Sequence, residues 1–504
     1  MVELNITGQD FKVIWPMISL VIFMLALLVV DLLDKRGETL TSALFTLFAV
    51  AVTAGFTWKL WNTSRHAFDD MLIIDNYSLF FNFIFFIGLA LTVLISIRSL
   101  PREGYNFSEF YVLLMGATLG MMMMASAGSL IMVFVGIETL SISLYVLAGF
   151  ARTRQESNEA ALKYLLLGAF ATGFLLYGIA LVYGSTGTMY LHEIQAAAAK
   201  MLQGGAETLN VTLIAGMLLI FVGLFFKASI VPFHMWAPDV YQGAPTPVTA
   251  FMSTGAKAAA YAVLFRVLMG AFQDLTHVWQ PVLYVVAILT IVVGNVTAVT
   301  QENIKRMLAY SSIAHAGYLL IAVLAWNEMG SGAIMFYLLA YTLMNLGAFG
   351  VLAAIRRSGQ ANETMSSFAG LAKRQPFYAA MMAIFMFSLA GIPPMAGFVG
   401  KFLIFASAIK AAAAPMAAGA WLTPSLLYAL VIVAVLCAVI SVYFYLRVVV
   451  VMYMNEPEQE LEKEPVNLGA GVALLISAAG LILMGVLPSA ILKVVENSIY
   501  YINF

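Results

Sequence analysis

Six basic residues lie inside long apolar stretches of this sequence: Lys163, Lys227, Lys257, Arg266, Lys401 and Arg447. A charged side chain at mid-membrane depth costs roughly 3 kcal/mol or more, so each of them needs a reason. Lysine has a chemical one. In a dry site the amine and the ammonium approach one another in free energy, and a buried lysine can then gain and lose a proton at working pH. Lys257 stands about ten residues into its stretch, too deep for its stem to carry the charge to an interface. Lys401 follows the breaker run Gly391-Ile392-Pro393-Pro394, and Lys227 precedes Pro232 and Pro238. Glu138, in GIETLSISLY, has no basic residue in its own stretch and requires a cation from elsewhere, with Lys227 and Lys163 as the candidates. Lys163 sits about one turn from the end of its stretch, where snorkelling accounts for it as well as proton transfer does. Arg266 and Arg447 lie near the ends of theirs and read as snorkelling anchors.

Two histidines join this set, because imidazole titrates near neutral pH. His234 lies between Pro232 and Pro238, and His315 lies in YSSIAHAGY. Either serves as a proton relay or as a hydrogen-bonded packing residue. Tyr310, Ser311, Ser312 and Tyr318 accompany His315 and could order water or bond to neighbouring helices. Asp239, in APDVYQGAP, reads as a local cap or local ion pair, and the run Met121–Met124 reads as packing.

The elements that must position these groups are membrane helices. The 504 residues are 62% hydrophobic and 10% charged, with a mean hydropathy of +0.94, whereas soluble chains carry about 25% charge. The net charge of −1 offers nucleic acid no general attraction. The one cysteine, Cys437, lies in an apolar run and excludes disulfide scaffolds, iron–sulfur clusters and cysteine zinc sites in this chain. There is no glycine-rich phosphate loop, no HExxH and no CxxCH, so no nucleotide, flavin, haem or metal site is expected. The N-terminal segment lacks a basic n-region and a small-residue cleavage site, so its first apolar run is expected to be a retained span.

A spanning helix needs about 20 mainly apolar residues. That rule predicts fourteen spans, near 12–33, 40–61, 76–98, 108–127, 128–150, 159–183, 210–243, 247–272, 278–300, 303–326, 330–355, 376–410, 424–453 and 467–488. The segment from Ile491 to Phe504 is too short to cross and is expected at the interface. Spans 7 and 12 are too long. As straight helices each would reach roughly 50 Å against a hydrocarbon core of about 30 Å, and each carries breakers at its middle. They are the fourth members of two five-helix blocks, spans 4–8 and 9–13, and an odd number of helices per block makes the repeats inverted. The expected organisation is a three-helix segment (1–107), a first repeat (108–272), an inverted second repeat (278–453) and a C-terminal helix and tail (454–504). With the N-terminus outside, thirteen basic residues fall at inner loops and ends: Lys35, Arg36, Arg98, Arg102, Arg152, Arg154, Lys305, Arg306, Arg356, Arg357, Lys373, Arg374 and Lys463. Only six fall outside, so the positive-inside rule places both termini on the periplasmic side.

Three stretches carry a family resemblance: FKASIVPFHMWAPDVYQGAPTPVTAFMSTGAK, LAYSSIAHAGYLL and SLAGIPPMAGFVGKF. They resemble the N-type antiporter-like subunits of bacterial proton-pumping NADH:quinone oxidoreductase, over essentially the whole chain. APDVYQGAPTPV is the most discriminating, and Gln242 departs from the glutamate usual there. The resemblance implies a membrane-arm subunit with no redox centre of its own. NADH, FMN, iron–sulfur clusters and quinone would act in other subunits. Its partners would be other membrane-arm subunits, including another antiporter-like subunit and small membrane subunits, in the bilayer of the bacterial inner (plasma) membrane. It also implies roles: Glu138 and Lys227 as an acid–lysine pair, Lys163 as an added base, Lys257 as the central lysine, Lys401 as the exit lysine and His315 as a polar link. The alternative is a subunit of a multi-subunit sodium/proton antiporter, against which the APDVYQGAPTPV wording speaks. A stand-alone solute carrier would want a substrate pocket of varied polar groups beside the broken helices, and a pure scaffold would not need six basic residues within spans.

Overall fold

The computed structural model describes residues 8–33, 39–105, 107–203, 211–355, 363–414, 421–456 and 466–500. Lys35, Arg36, Arg356, Arg357 and Lys463, all assigned to the inner side, lie outside the described residues, as do the two chain ends. The fold is all-α and polytopic. Among the described residues thirteen helices are long and apolar enough to cross a membrane. Glu109–Ala125, at 17 residues, adds the expected fourth span, and Pro376–Ala390 with Ala396–Ala413 forms the expected twelfth. In order the spans are Trp15–Leu33, Thr39–Lys59, Asn76–Arg102, Glu109–Ala125, Leu130–Ala148, Gln155–Thr186, Val211–Ala228 with Trp236–Gly243, and Thr246–Gly270. Then come Thr276–Val299, Ile304–Ala325, Glu328–Ile355, the broken twelfth, Pro424–Met454 and Leu468–Val486. The two broken spans are five apart, as expected.

Local chemistry sets the ends. Asp75 caps span 3 through the backbone of Ser78, whose side chain bonds back to the Asp75 backbone. Asn303 accepts from the amides of Lys305 and Arg306 at the start of span 10, and Pro376 and Pro424 open their helices where a missing N–H costs nothing. Both breaks contain a cis X–Pro bond, Val231–Pro232 and Pro393–Pro394. In the second, Gly391 takes a left-handed φ of 85°, which ends the half-helix. A short hairpin, Arg65–Ala67 against Leu72–Ile74, joins spans 2 and 3. Amphipathic helices Leu191–Gln203 and Pro488–Tyr500 are too short to cross.

Small residues let the spans close on one another, as membrane packing requires. A Cβ on Gly178 in span 6 would come 2.7 Å from the Gly216 carbonyl oxygen in span 7, so only glycine allows that approach. Spans 8, 10 and 11 form the centre: their most apolar windows are 100%, 94% and 89% buried. Side chains carried by spans 8 and 10 therefore meet protein and not lipid, and these two spans bear Lys257 and His315.

Candidate functional site

Lys227 ends the first half of span 7, immediately before the break. The side chain is 3% exposed, and its Nζ has no hydrogen-bond partner among the described residues. Instead it faces two rings, 5.5 Å from the centroid of Tyr145 and 5.2 Å from that of Tyr164. Trp236, at the start of the second half, stacks on Tyr164 with centroids 4.4 Å apart, and its Nε1 donates to the Phe226 carbonyl at 2.9 Å. The break is thus fastened to the ring that faces the lysine.

Glu138 departs from expectation. No cation lies within 4.0 Å of it among the described residues, and its Oε1 is buried without a hydrogen-bond partner. The residue as a whole is half-buried at the edge of an outward strip formed by Val135, Ile142 and Val146. Lys163 does not supply the charge either. It bonds Glu159 at 2.6 Å and Asp239 at 2.8 Å, and Asp239 also takes Arg306 at 2.6 Å. Asp239 therefore pairs with spans 6 and 10 and not locally, because the short helix Trp236–Gly243 carries it to where their N-terminal ends meet. These groups line a cavity of about 430 Å³ with Gln242, whose Oε1 accepts from Arg306 at 3.2 Å. Next to it Lys305 is buried, donating to the Gln242 and Ala244 carbonyls at 2.8 Å and to Glu363 at 3.2 Å.

Lys257 lies at the centre, 1% exposed. It follows a π-helical turn, Met252–Ala256, an irregularity that recurs at functional sites. No carboxylate pairs with it among the described residues. It donates to the carbonyl and hydroxyl oxygens of Ser312 and lies 5.3 Å from the Tyr341 ring centroid. On the same helix as Ser312, Ser311 bonds the Tyr445 hydroxyl, which meets His315 Nε2 at 2.9 Å, while His315 Nδ1 meets the Tyr337 hydroxyl. Tyr318 receives a bond from Asn295 at 3.0 Å and presents its ring to Lys401 Nζ at 5.4 Å. Lys401 in turn donates to the Leu389 and Ala390 carbonyls at 2.8 and 3.1 Å, the negative end of the half-helix before the second break. Serine, tyrosine and histidine groups thus occupy the space between the central and distal lysines.

The structure does not bring His234 into this row. It is half-buried in the first break, its Nδ1 has no partner, and no hydrogen bond joins it to a lysine among the described residues. Arg266 is a correction. It does not snorkel but is fully buried, with Nη2 on both Asp75 oxygens at 2.8 and 3.0 Å and Nε on the Ala125 carbonyl at 3.0 Å. At the start of span 3 and the end of span 4 a carboxylate and a helix-terminal carbonyl pair with a charge that lipid would have forced outward. Among the described residues no three His, Cys, Asp or Glu side chains converge as a metal would require.

The family described as NADH:quinone oxidoreductase/Mrp antiporter, TM, matches residues 127–427, which contain Glu138, His315 and the lysine row. An NADH-quinone oxidoreductase subunit N from Trichlorobacter lovleyi is 44% identical over 491 residues, covering 97% of each chain. A chain of respiratory complex I from Thermus thermophilus is 34% identical with a TM-score of 0.78, covering 96% of this chain and all of that one. This chain belongs to the subunit N family of NADH-quinone oxidoreductases. It is a multi-pass, antiporter-like, proton-translocating membrane subunit, as the resemblance implied. A chain of the Mrp complex from Dietzia sp. DQ12-45-1b shares the fold, with a TM-score of 0.78 at 20% identity. What the subunit N motifs alone did not reveal is the tyrosine set. Tyr145, Tyr164, Tyr337, Tyr341 and Tyr445 are scattered through apolar spans, and nothing in their spacing separates them from packing residues.

Proposed function

We propose that protons cross this subunit by way of Glu138, Lys227, Lys257 and Lys401, with His315 linking the last two. The observation that carries the reading is Lys257: a lysine 1% exposed, at mid-depth, with no carboxylate partner among the described residues and a hydroxyl-lined path on one side. A structural cation would be expected to hold an acid, as Arg266 holds Asp75. The inner cavity at Lys163 and Asp239 is where water would reach the lysine row, and Lys163 acts there as a charge partner. His234 has no part in the relay. Each lysine passes its proton on when a neighbour's charge changes, since coupled groups titrate together. Moving one charge against 100 mV requires about 2.3 kcal/mol, which quinone reduction in other subunits supplies. NADH, FMN and iron–sulfur clusters belong to those subunits too.

The chain works in the bacterial inner membrane with both termini periplasmic, beside other membrane-arm subunits. Glu138 supports that docking. A half-buried carboxylate at mid-span is too costly to leave against lipid, so a neighbouring subunit covers the strip that carries it. The five-helix blocks 108–272 and 278–453 act as two half-channels meeting at Lys257.

The test is to replace Lys227, Lys257 and Lys401 singly with methionine, which keeps length and apolar packing. Assembly is checked by native gel and proton uptake is followed in inverted vesicles. Assembled complexes that have lost uptake are expected in all three cases. Uptake at the wild-type rate in any of them removes that lysine from the path, and a requirement for sodium in the medium would favour cation exchange instead.

A further inference from the structure

Lys227 is the one lysine of the row with no hydrogen bond at all among the described residues. Other buried polar atoms share that state with its Nζ, among them Glu138 Oε1 and the Tyr145 and Tyr164 hydroxyls. What the ammonium does have is two aromatic faces, at 5.5 and 5.2 Å. The rings meet edge to face at 89° with centroids 4.9 Å apart, which leaves both beside the same cation. Tyr164 is 0% exposed and is pinned by the Trp236 stack, with ring planes 11° apart.

We propose that Tyr145 and Tyr164 are positioning residues that form an aromatic seat for the Lys227 ammonium and hold it away from Glu138 between transfers. The proposal rests on the reading that Lys227 carries protons. An aromatic face attracts a desolvated cation through its quadrupole, less strongly than a carboxylate does through its charge. A lysine locked onto Glu138 in a low dielectric would be slow to give up its proton. A shallower second position lets the ammonium stay buried and still leave. Tyr145 stands seven residues after Glu138 on span 5, about 10 Å along the same rigid helix, so acid and seat form a fixed pair of stations for one flexible side chain. Lys257 and Lys401 also lie over tyrosine faces, at 5.3 and 5.4 Å, but both have hydrogen bonds as well. Among the described residues Lys227 has the rings and no hydrogen bond.

The test varies the ring's electrons and not its shape. Phenylalanine is placed at Tyr145 and at Tyr164 in the intact complex, then replaced by mono-, di- and trifluorophenylalanine, which weaken the quadrupole stepwise at nearly constant volume. Assembly is verified by native gel, and pumping is compared with the phenylalanine variant at the same position. The expected result is a graded fall reaching about fivefold at the trifluoro ring. A packing role would not respond to fluorination, so equal pumping across the series overturns the seat. Lys227→Met separates the two readings. If it pumps at the wild-type rate, the proton role of Lys227 fails. If it does not pump while the fluorinated series is flat, only the seat fails.

Discussion

Gly391 and Lys401 fit one another across the second break: a Cβ on Gly391 would lie 3.1 Å from Lys401 Cδ and 3.5 Å from its Nζ. The glycine also holds φ at 85°, which turns the chain so that the Leu389 and Ala390 carbonyls face the ammonium. One residue therefore sets both the end of the half-helix and the seat of the distal lysine.

Gly391→Ala is expected to lower pumping several-fold in complexes that still assemble. The left-handed conformation costs a residue with a Cβ about 1–2 kcal/mol, and relief of that strain moves the carbonyls from Lys401. Gly173→Ala is the control, since a Cβ there meets nothing within 4 Å. Dye quenching in inverted vesicles reads both. Equal pumping by the two variants would show that Lys401 does not depend on the geometry of the break.

The Asp75–Arg266 pair leads to a stability prediction. Both side chains are 0% exposed, and removing one partner of a buried pair costs about 3–5 kcal/mol because the other charge is stranded. Asp75→Ala and Arg266→Leu are each expected to prevent or weaken assembly on a native gel. The double variant should recover much of it, as apolar replacement of a buried pair often does. A single variant that assembles and melts like the wild type would count against this account.

That pair also shows where the sequence stops being legible. Hydropathy and breakers located all fourteen spans and both breaks, because lipid imposes length and apolarity on every crossing segment. Lys257, Lys227, Lys401 and Glu138 stood out because charge is rare there. Arg266 looked like an anchor because its distance along the helix was readable, whereas its partner lay 191 residues away. Asp239 was misjudged in the same way, its partners being 76 and 67 residues distant. Tyr318 stood out beside His315, but Tyr145, Tyr164, Tyr337, Tyr341 and Tyr445 could not be picked out. An aromatic residue in an apolar span has the same composition signal whether it packs against leucine or faces an ammonium. Only coordinates tell the two apart.

Glu138 and Lys227 are expected to be coupled even though they are not in contact. Glu138→Gln and Lys227→Met should each reduce proton uptake strongly, and the double variant should be less impaired than the product of the two effects. Without a direct bond the coupling should be about 1 kcal/mol, within the range for neighbouring charges. Initial rates of uptake for the four combinations, normalised to assembled complex, give the value. Strict multiplicativity of the two effects would mean that the acid and the lysine act on separate steps.

Lys257→Arg separates a relay from a fixed charge. Arginine keeps the positive charge and can still donate to Ser312, but it does not release a proton in proteins. Its planar fork is also bulkier than the ammonium now held between Ser312 and the Tyr341 ring. If Lys257 only balanced charge, Lys257→Arg would pump and Lys257→Met would fail to assemble. A relay predicts the opposite pattern: both variants assemble, both lose uptake by about tenfold or more, and coupled quinone reduction slows with them. Adding an uncoupler distinguishes a blocked path from back-pressure of the membrane potential. A blocked path keeps quinone reduction slow even when the membrane potential is gone, because the proton step itself is missing. Wild-type uptake by Lys257→Arg would take the central lysine out of the path and leave it a structural cation.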